Sequence, residues 1–203
     1  MSFFDYFQVA SVSIFLFIIL SRAIYMNISR KVNPIVIGSG KKGLVLVIEL
    51  LSFAGLVVWI IEVLLYAFHS DFRIFSSPLD MRLIDSPAAR VIGVALVSLG
   101  LIIFVIAFVS FGDSWRVGFD MKKPGTLVTN GIFAVTRNPI YLFMDLWFFG
   151  IFLINGTLIF LIFAVLTAAA VHRQILQEET FCSKLYGKPY QDYCAQTPRY
   201  FGW

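Results

Sequence analysis

Apolar residues run along this chain in five long blocks separated by short polar or charged stretches. A bilayer core about 30 Å thick takes roughly 20 residues of helix, so blocks of that length predict membrane-crossing helices. They fall at about 7–28, 43–68, 88–111, 139–154 and 157–177, and the first two are long enough to tilt. Only Asn155-Gly156 separates the last two, which predicts a helical hairpin with a tight turn. The pattern predicts an all-α integral membrane protein of about five transmembrane helices, forming one multi-pass domain over residues 1–203.

Composition sharpens this. Of 203 residues, 59% are hydrophobic and 14% charged, with a mean hydropathy of +0.85, which excludes soluble globular classes. The formal charge of +4 does not point to nucleic acid, because the basic residues lie between apolar blocks and form no stripe. Their distribution instead predicts an orientation. Arg22, Arg30, Lys31, Lys41 and Lys42 follow the first helix without an acid, whereas Arg73, Arg82 and Arg90 near the next loop are balanced by Asp71, Asp80 and Asp85. Arg116, Lys122, Lys123 and Arg137, then Arg173, Lys184, Lys188 and Arg199, fall on the same side as the first group. The positive-inside rule makes that side cytosolic, with the N-terminus outside and the C-terminus in the cytosol. MSFFDYF carries no Lys or Arg before the first apolar block and no small-residue cleavage pattern follows, so the first helix is expected to stay.

Cys182 and Cys194, eleven residues apart without a Cys-x-x-Cys pair, read as free thiols. His69 and His172 are too isolated to suggest a metal site, and no metal is expected.

Candidate chemistry lies where polar residues exceed what a simple span needs. One cluster runs from Lys123 to Tyr141 and enters the fourth helix through Arg137-Asn138-Pro139. Pro139 suits a first helical turn, where free N–H groups and the positive dipole end offer a carboxylate or phosphate site beside Arg137. A capped helix start with Arg137 on lipid headgroups fits the same residues. The second cluster is His172-Arg173-Gln174 with Glu178-Glu179, on a helix that outruns its apolar span. On an ideal helix Gln174 and Glu178 share a face, as do His172 and Glu179, while Arg173 stands apart from Glu178. Glu49, Glu62 and Asp145 are costly in hydrocarbon and should face the bundle or an interface. Asp145, one turn beyond Tyr141, either closes a pocket or pairs inside the bundle.

Gly125-Thr-Leu-Val-Thr-x-Gly131, Arg137-x-Pro139-x-Tyr141, the hairpin, Glu178-Glu179, and Tyr186-Gly187-x-x-Tyr190-x-x-Tyr193 with Pro198-Arg199 occur in that order. Over about 112–203 this set resembles the isoprenylcysteine carboxyl methyltransferase family, within a wider membrane group that includes phospholipid methyltransferases. The resemblance implies a multi-pass enzyme that takes a methyl group from S-adenosylmethionine, releases S-adenosylhomocysteine, and accepts a lipophilic substrate from the bilayer. It implies Thr126, Leu127, Val128, Asn138, Pro139, Ile140, Tyr141 and Glu178 as cofactor-lining residues, with Arg173 and Glu178 as catalytic candidates.

The chain departs from that family where Asn138 replaces a His, Phe133 a Tyr, and Gln174 a substrate-facing Arg, with Arg173 one place earlier. Asn138 keeps a donor and an acceptor but cannot titrate. Methyl transfer to a carboxylate needs positioning and no nucleophile from the protein. An amine acceptor must lose a proton, and Glu179 or His172 is the base available. Carboxyl O-methylation of an isoprenylcysteine-like molecule is the leading expectation, with phospholipid amine N-methylation next. A membrane reductase lacks a Gly-x-Gly-x-x-Gly fingerprint here, a transporter lacks an obvious internal repeat, and a non-enzymatic scaffold is favoured only by loss of both cofactor binding and turnover.

Overall fold

The computed structural model describes residues 1–30, 43–112 and 126–201. Lys31, Lys41, Lys42, Arg116, Lys122, Lys123 and Gly125 lie outside the described residues. Among those described there are six α-helices and one 3-10 turn, with a single isolated β-bridge between Arg82 and Thr157. Four helices are long and apolar enough to cross a bilayer, and the protein is an all-helical, multi-pass membrane protein. The fourth apolar block forms a shorter helix of 17 residues, about 25 Å of rise.

The chain divides into two compact units, Met1–Ile74 with Gly112–Thr126, and Phe75–Phe111 with Leu127–Trp203. The first unit holds α1 (Phe3–Arg30) and α2 (Gly43–Ala67). Asp5 stands in the first turn of α1, where a carboxylate meets the positive end of the helix, and accepts from His69 Nε2 at 2.9 Å. Glu62 of α2 is fully buried, and its Oε2 accepts the Ile74 N–H at 3.1 Å. That bond offsets part of the cost of an acid inside the span, while Oε1 stays buried without a hydrogen-bond partner.

The second unit holds α3 (Pro87–Phe111), the 3-10 turn Gly131–Ala134, α4 (Pro139–Asn155), α5 (Leu158–Tyr186) and α6 (Lys188–Gln196). Gly93, Val97, Gly100, Phe104 and Ala107 make a buried stripe on α3, and Phe143, Trp147, Gly150 and Ile151 make one on α4. In lipid, helices associate through close packing, which small residues permit. A Cβ on Gly93 would sit 2.5 Å from the Gly150 carbonyl oxygen, so these two backbones are in contact. Phe104 stacks on Phe143 with centroids 4.5 Å apart, and Phe143 on Trp147 at 5.3 Å.

The predicted hairpin turn is built on Gly156, which ends α4 in the left-handed conformation at φ 69°. Its carbonyl accepts from Leu83 N and Ile84 N at 2.6 and 3.0 Å. Leu158 N and Ile159 N, at the start of α5, donate to Met81 O and Leu79 O at 2.9 and 2.8 Å. The 79–84 segment thus satisfies donors that Thr157 does not cap with its side chain. Beside it, Asp85 lies between Arg82 at 3.0 Å and Arg90 at 2.6 Å, and the neighbouring Arg82 guanidinium holds its carboxyl below the usual range.

Candidate functional site

At the end of the hairpin opposite Gly156, the start of α4 meets the polar part of α5 and the C-terminal segment. α5 continues to Tyr186, nine residues beyond the apolar block that ends near 177, and so carries its acids on ordered helix. Gly187, at φ 60° and ψ −129°, then breaks the chain in a conformation open to glycine, and Pro189 helps start α6. The short helix α6 explains the Tyr186-Gly187-x-x-Tyr190-x-x-Tyr193 spacing. Tyr190 and Tyr193 lie three residues apart on its buried face.

Tyr193 donates to the Phe133 carbonyl at 2.6 Å, and Phe133 packs edge-on against Phe111 at 4.6 Å. Burial pushes the Tyr193 phenol up, and the Tyr190 phenol likewise. A polar cleft of about 340 Å³ opens where α6 meets the turn, lined by Thr129, Ala134, Pro189, Asp192, Tyr193, Gln196 and Thr197.

Two side-chain clusters adjoin this turn. In the first, Tyr141, on the first turn of α4, donates to Glu178 Oε1, and Gln174 Nε2 donates to the same oxygen at 2.9 Å. In the second, Glu179 is gripped from both sides. Arg137 Nη2 lies 3.0 Å from its Oε1, and Arg199 contacts both oxygens, with Nη2 at 2.7 Å from Oε2. The Glu179 hydrogen bond pushes the Arg199 guanidinium up, so this cation is permanent. Adjacent acids on α5 therefore face different partners, and the side chains of Arg137 and Glu179 are only 11% and 15% exposed.

The C-terminal segment is tied down by its backbone. Thr136 Oγ1 and Asn138 Nδ2 donate to the Arg199 carbonyl at 3.2 and 3.1 Å, and Arg137 N donates to Pro198 O at 3.0 Å. Asn138, the residue before α4, spends its amide on Arg199 and makes no side-chain cap of the helix. Pro139 is buried at the helix start and Ile140 is half-buried. Leu127 and Val128 are half-buried at the head of the segment leading to the 3-10 turn, and Thr126 is exposed and belongs to the first unit.

Arg173 is exposed and about 140° around the axis from Glu178, so the structure does not bring the two proposed catalytic residues together. The sequence reading left Arg199 without a role and passed over Tyr200, whose hydroxyl lies 2.6 Å from His172 Nδ1. The signal for Arg199 was present in the Pro198-Arg199 motif. Tyr200 carried none.

These residues suit a zwitterionic cofactor. Arg137 Nε is buried without a hydrogen-bond partner, and the start of α4 has no side-chain cap, so both can receive an anionic group. Glu178 is an acceptor for hydroxyl or ammonium donors.

In class the chain is an all-helical membrane protein, with charged and aromatic residues gathered at one end of a helical hairpin. Residues 88–189 match the family model of phospholipid methyltransferase, and the chain belongs to that family, a membrane methyltransferase family related to the isoprenylcysteine methyltransferases. The match runs from the start of α3 into α6 and so contains both Glu178 and Glu179. No curated protein matches the chain.

Proposed function

We propose that the protein transfers a methyl group from S-adenosylmethionine to a lipophilic amine, such as an aminophospholipid, reached from the bilayer at the cytosolic face. The observation that carries the reading is the Tyr141–Glu178–Gln174 cluster at the uncapped start of α4, beside the Arg137–Glu179–Arg199 bridge. When bound, the cofactor supplies an electrophilic methyl on a sulfonium.

The chain's own residues do the rest. Arg137 and the backbone N–H groups opening α4 hold its carboxylate, and Glu178 accepts from its hydroxyl or ammonium groups. The Tyr141 ring offers an electron-rich face to the cation. The apolar walls of α3 and α4 exclude water around the reacting atoms. Phospholipid methyltransferase membership favours a phospholipid amine. So does the distribution of charge. Among the described residues of the cluster, Arg137 and Arg199 both bridge to Glu179 and Arg173 lies off the cluster, so neither Arg199 nor Arg173 faces an incoming carboxylate.

Carboxyl methylation of an isoprenylcysteine is the second reading, supported by the motif order over 112–203. The excess of Lys and Arg on the loops of one side supports a cytosolic C-terminus.

The test is calorimetric binding of S-adenosylhomocysteine to detergent-solubilised protein and to Tyr141→Ala, followed by methyl acceptance from labelled cofactor. Saturable binding that Tyr141→Ala loses, with label entering an aminophospholipid, supports the reading. Label entering only a prenylated cysteine moves the second reading ahead. Absence of binding by folded protein overturns both.

A further inference from the structure

His172 lies in the same unit as the Tyr141–Glu178 pair but deeper along the hairpin, in a group of side chains that the cofactor reading does not use. Asp145 is four residues past Tyr141 on α4, about 6 Å further along the axis. His172 is six residues before Glu178 on antiparallel α5, about 9 Å in the same direction. The two side chains interact electrostatically. From the C-terminal segment Tyr200 places its hydroxyl 2.6 Å from His172 Nδ1, with the rings 6.2 Å apart and inclined by 23°. Asp145 Oδ1 is buried and has no hydrogen-bond partner. A buried carboxylate oxygen in that state is costly unless a cation comes to face it.

We propose that His172 is the general base of the reaction, taking the proton from an ammonium-bearing lipid headgroup that enters between Asp145 and the Tyr141–Glu178 pair. The proposal rests on the methyltransferase reading above and adds to it the residue that makes an amine acceptor workable. An ammonium has no lone pair and cannot attack. In the tautomer whose Nδ1–H donates to the Tyr200 oxygen, Nε2 carries the lone pair that accepts one proton from R–NH3⁺. The nitrogen lone pair then forms the C–N bond as the C–S bond breaks, and that electron pair stays on sulfur, giving R–NH2⁺–CH3 and the neutral thioether. The imidazolium then gives up its proton, which restores the Nε2 lone pair for the next turnover.

Three neighbouring groups are excluded from this role by their partners or their chemistry, and Asp145 is left to face the ammonium. Both oxygens of Glu179 are held by arginines, Glu178 accepts from Tyr141 and Gln174, and Asn138 does not titrate. The charged groups acting on the His172–Tyr200 pair are Asp145 on α4, Arg199 on the C-terminal segment and Glu179 on α5. Glu179 is neutralised by its arginines, which leaves Asp145 as the acid beside His172. Burial and that same charge push the Tyr200 phenol up, which keeps it a neutral partner for the imidazole.

The full-length protein in detergent, with His172→Gln, Tyr200→Phe and Asp145→Asn, is assayed for S-adenosylhomocysteine binding and for methylation of an aminophospholipid between about pH 5.5 and 9. An imidazole base makes wild-type kcat/KM fall on the acidic side of neutrality. His172→Gln is expected to bind S-adenosylhomocysteine within about twofold of wild type, lose about 100- to 1000-fold in kcat, and lose the acidic limb. Tyr200→Phe and Asp145→Asn are expected to shift the limb while keeping cofactor binding.

An unchanged rate and profile in His172→Gln overturns the proposal. So does a fall in cofactor affinity and melting temperature with the limb intact, the signature of a residue that only docks the tail. Should His172→Gln fail to fold, an unmoved limb in Tyr200→Phe overturns it equally. Wild-type protein that binds the cofactor product yet methylates only carboxylates sinks this proposal alone, whereas wild-type protein that binds none sinks the methyltransferase reading and this one with it.

Discussion

Tyr141 and Glu178, 37 residues apart in the chain, are joined by a hydrogen bond from the phenol to the carboxylate, and Gln174 reaches the same oxygen from one turn back on α5. Glu179, the next residue, faces away from them into two arginines. Substituting the two acids should therefore have different consequences. Glu178→Gln removes an acceptor from the proposed cofactor site and is expected to weaken S-adenosylhomocysteine binding about 10- to 100-fold with little change in melting temperature. Glu179→Gln strands two guanidinium groups and should cost about 2 kcal/mol of stability, less than the roughly 3–5 of a fully buried pair because Arg199 is 37% exposed. Calorimetry and thermal melts of the two variants check this. Equal losses in both measurements would remove the division of roles.

Gly156 should tolerate no side chain. Its φ of 69° alone costs an L-residue about 1–2 kcal/mol, and a Cβ there would stand 1.9 Å from the Ile84 carbonyl oxygen. That carbonyl belongs to backbone, and the segment carrying it also receives the first N–H groups of α5. Gly156→Ala is expected to lower the melting temperature severely or prevent folding. Asn155→Ala, which loses the bond from Nδ2 to Ile151 O at 3.1 Å without touching the turn's backbone, should cost far less, on the order of 1 kcal/mol.

The spans and the hairpin were legible because lipid leaves the backbone few options, so length and hydropathy locate helices almost directly. The bounds of α2, α3 and α4 fall within a residue or so of the apolar blocks. The block boundaries misled at the far end of α5, which continues for about two and a half turns as polar helix, where Glu179 is anchored to Arg137 and Arg199. They also missed α6, since a nine-residue helix rich in Lys, Gln and Asp has no apolar run, and only Gly187 and Pro189 mark its start. The glycines of the α3–α4 contact were hidden for another reason. Gly93 and Gly150 meet only through the fold, and nothing in either local sequence names the other. Gln174 and Glu178 were placed on one face by helical spacing, but their partner on α4 comes from the hairpin register.

Tyr193 gives the fold a distinct alkaline limit. Its pKa is raised by burial, and its hydroxyl donates to Phe133 O at 2.6 Å. For a phenol whose folded value is raised, the stabilisation is full below the ordinary value of about 10, where both states are protonated. Above it the unfolded chain ionises first, and stability falls as pH rises toward the folded value. Melting temperature in detergent should therefore be lost steeply above about pH 10. Tyr193→Phe should lie about 1 kcal/mol lower at neutral pH and show a shallower alkaline decline. An unchanged alkaline slope in that variant would assign the limit elsewhere.

Arg137 and Arg199 both contact Glu179, but they differ in exposure and in the donors left over. Its side chain is 11% exposed against 37% for Arg199, and its buried Nε lacks a partner while the Arg199 Nε donates to Glu179 at 3.1 Å. A lysine reaches Glu179 with one point charge but has no second donor in a fixed fork. Arg137→Lys is accordingly expected to keep most of the melting temperature and to lose about tenfold or more in S-adenosylhomocysteine affinity, through the anionic group that Nε would hold. Arg199→Lys is expected to keep affinity within about threefold. The comparison separates a bridge that only fastens the C-terminal segment from one that also presents a donor to the cofactor. If the two lysine variants bind S-adenosylhomocysteine alike, Arg137 acts through Glu179 alone and the cofactor carboxylate has to be held by the backbone at the start of α4.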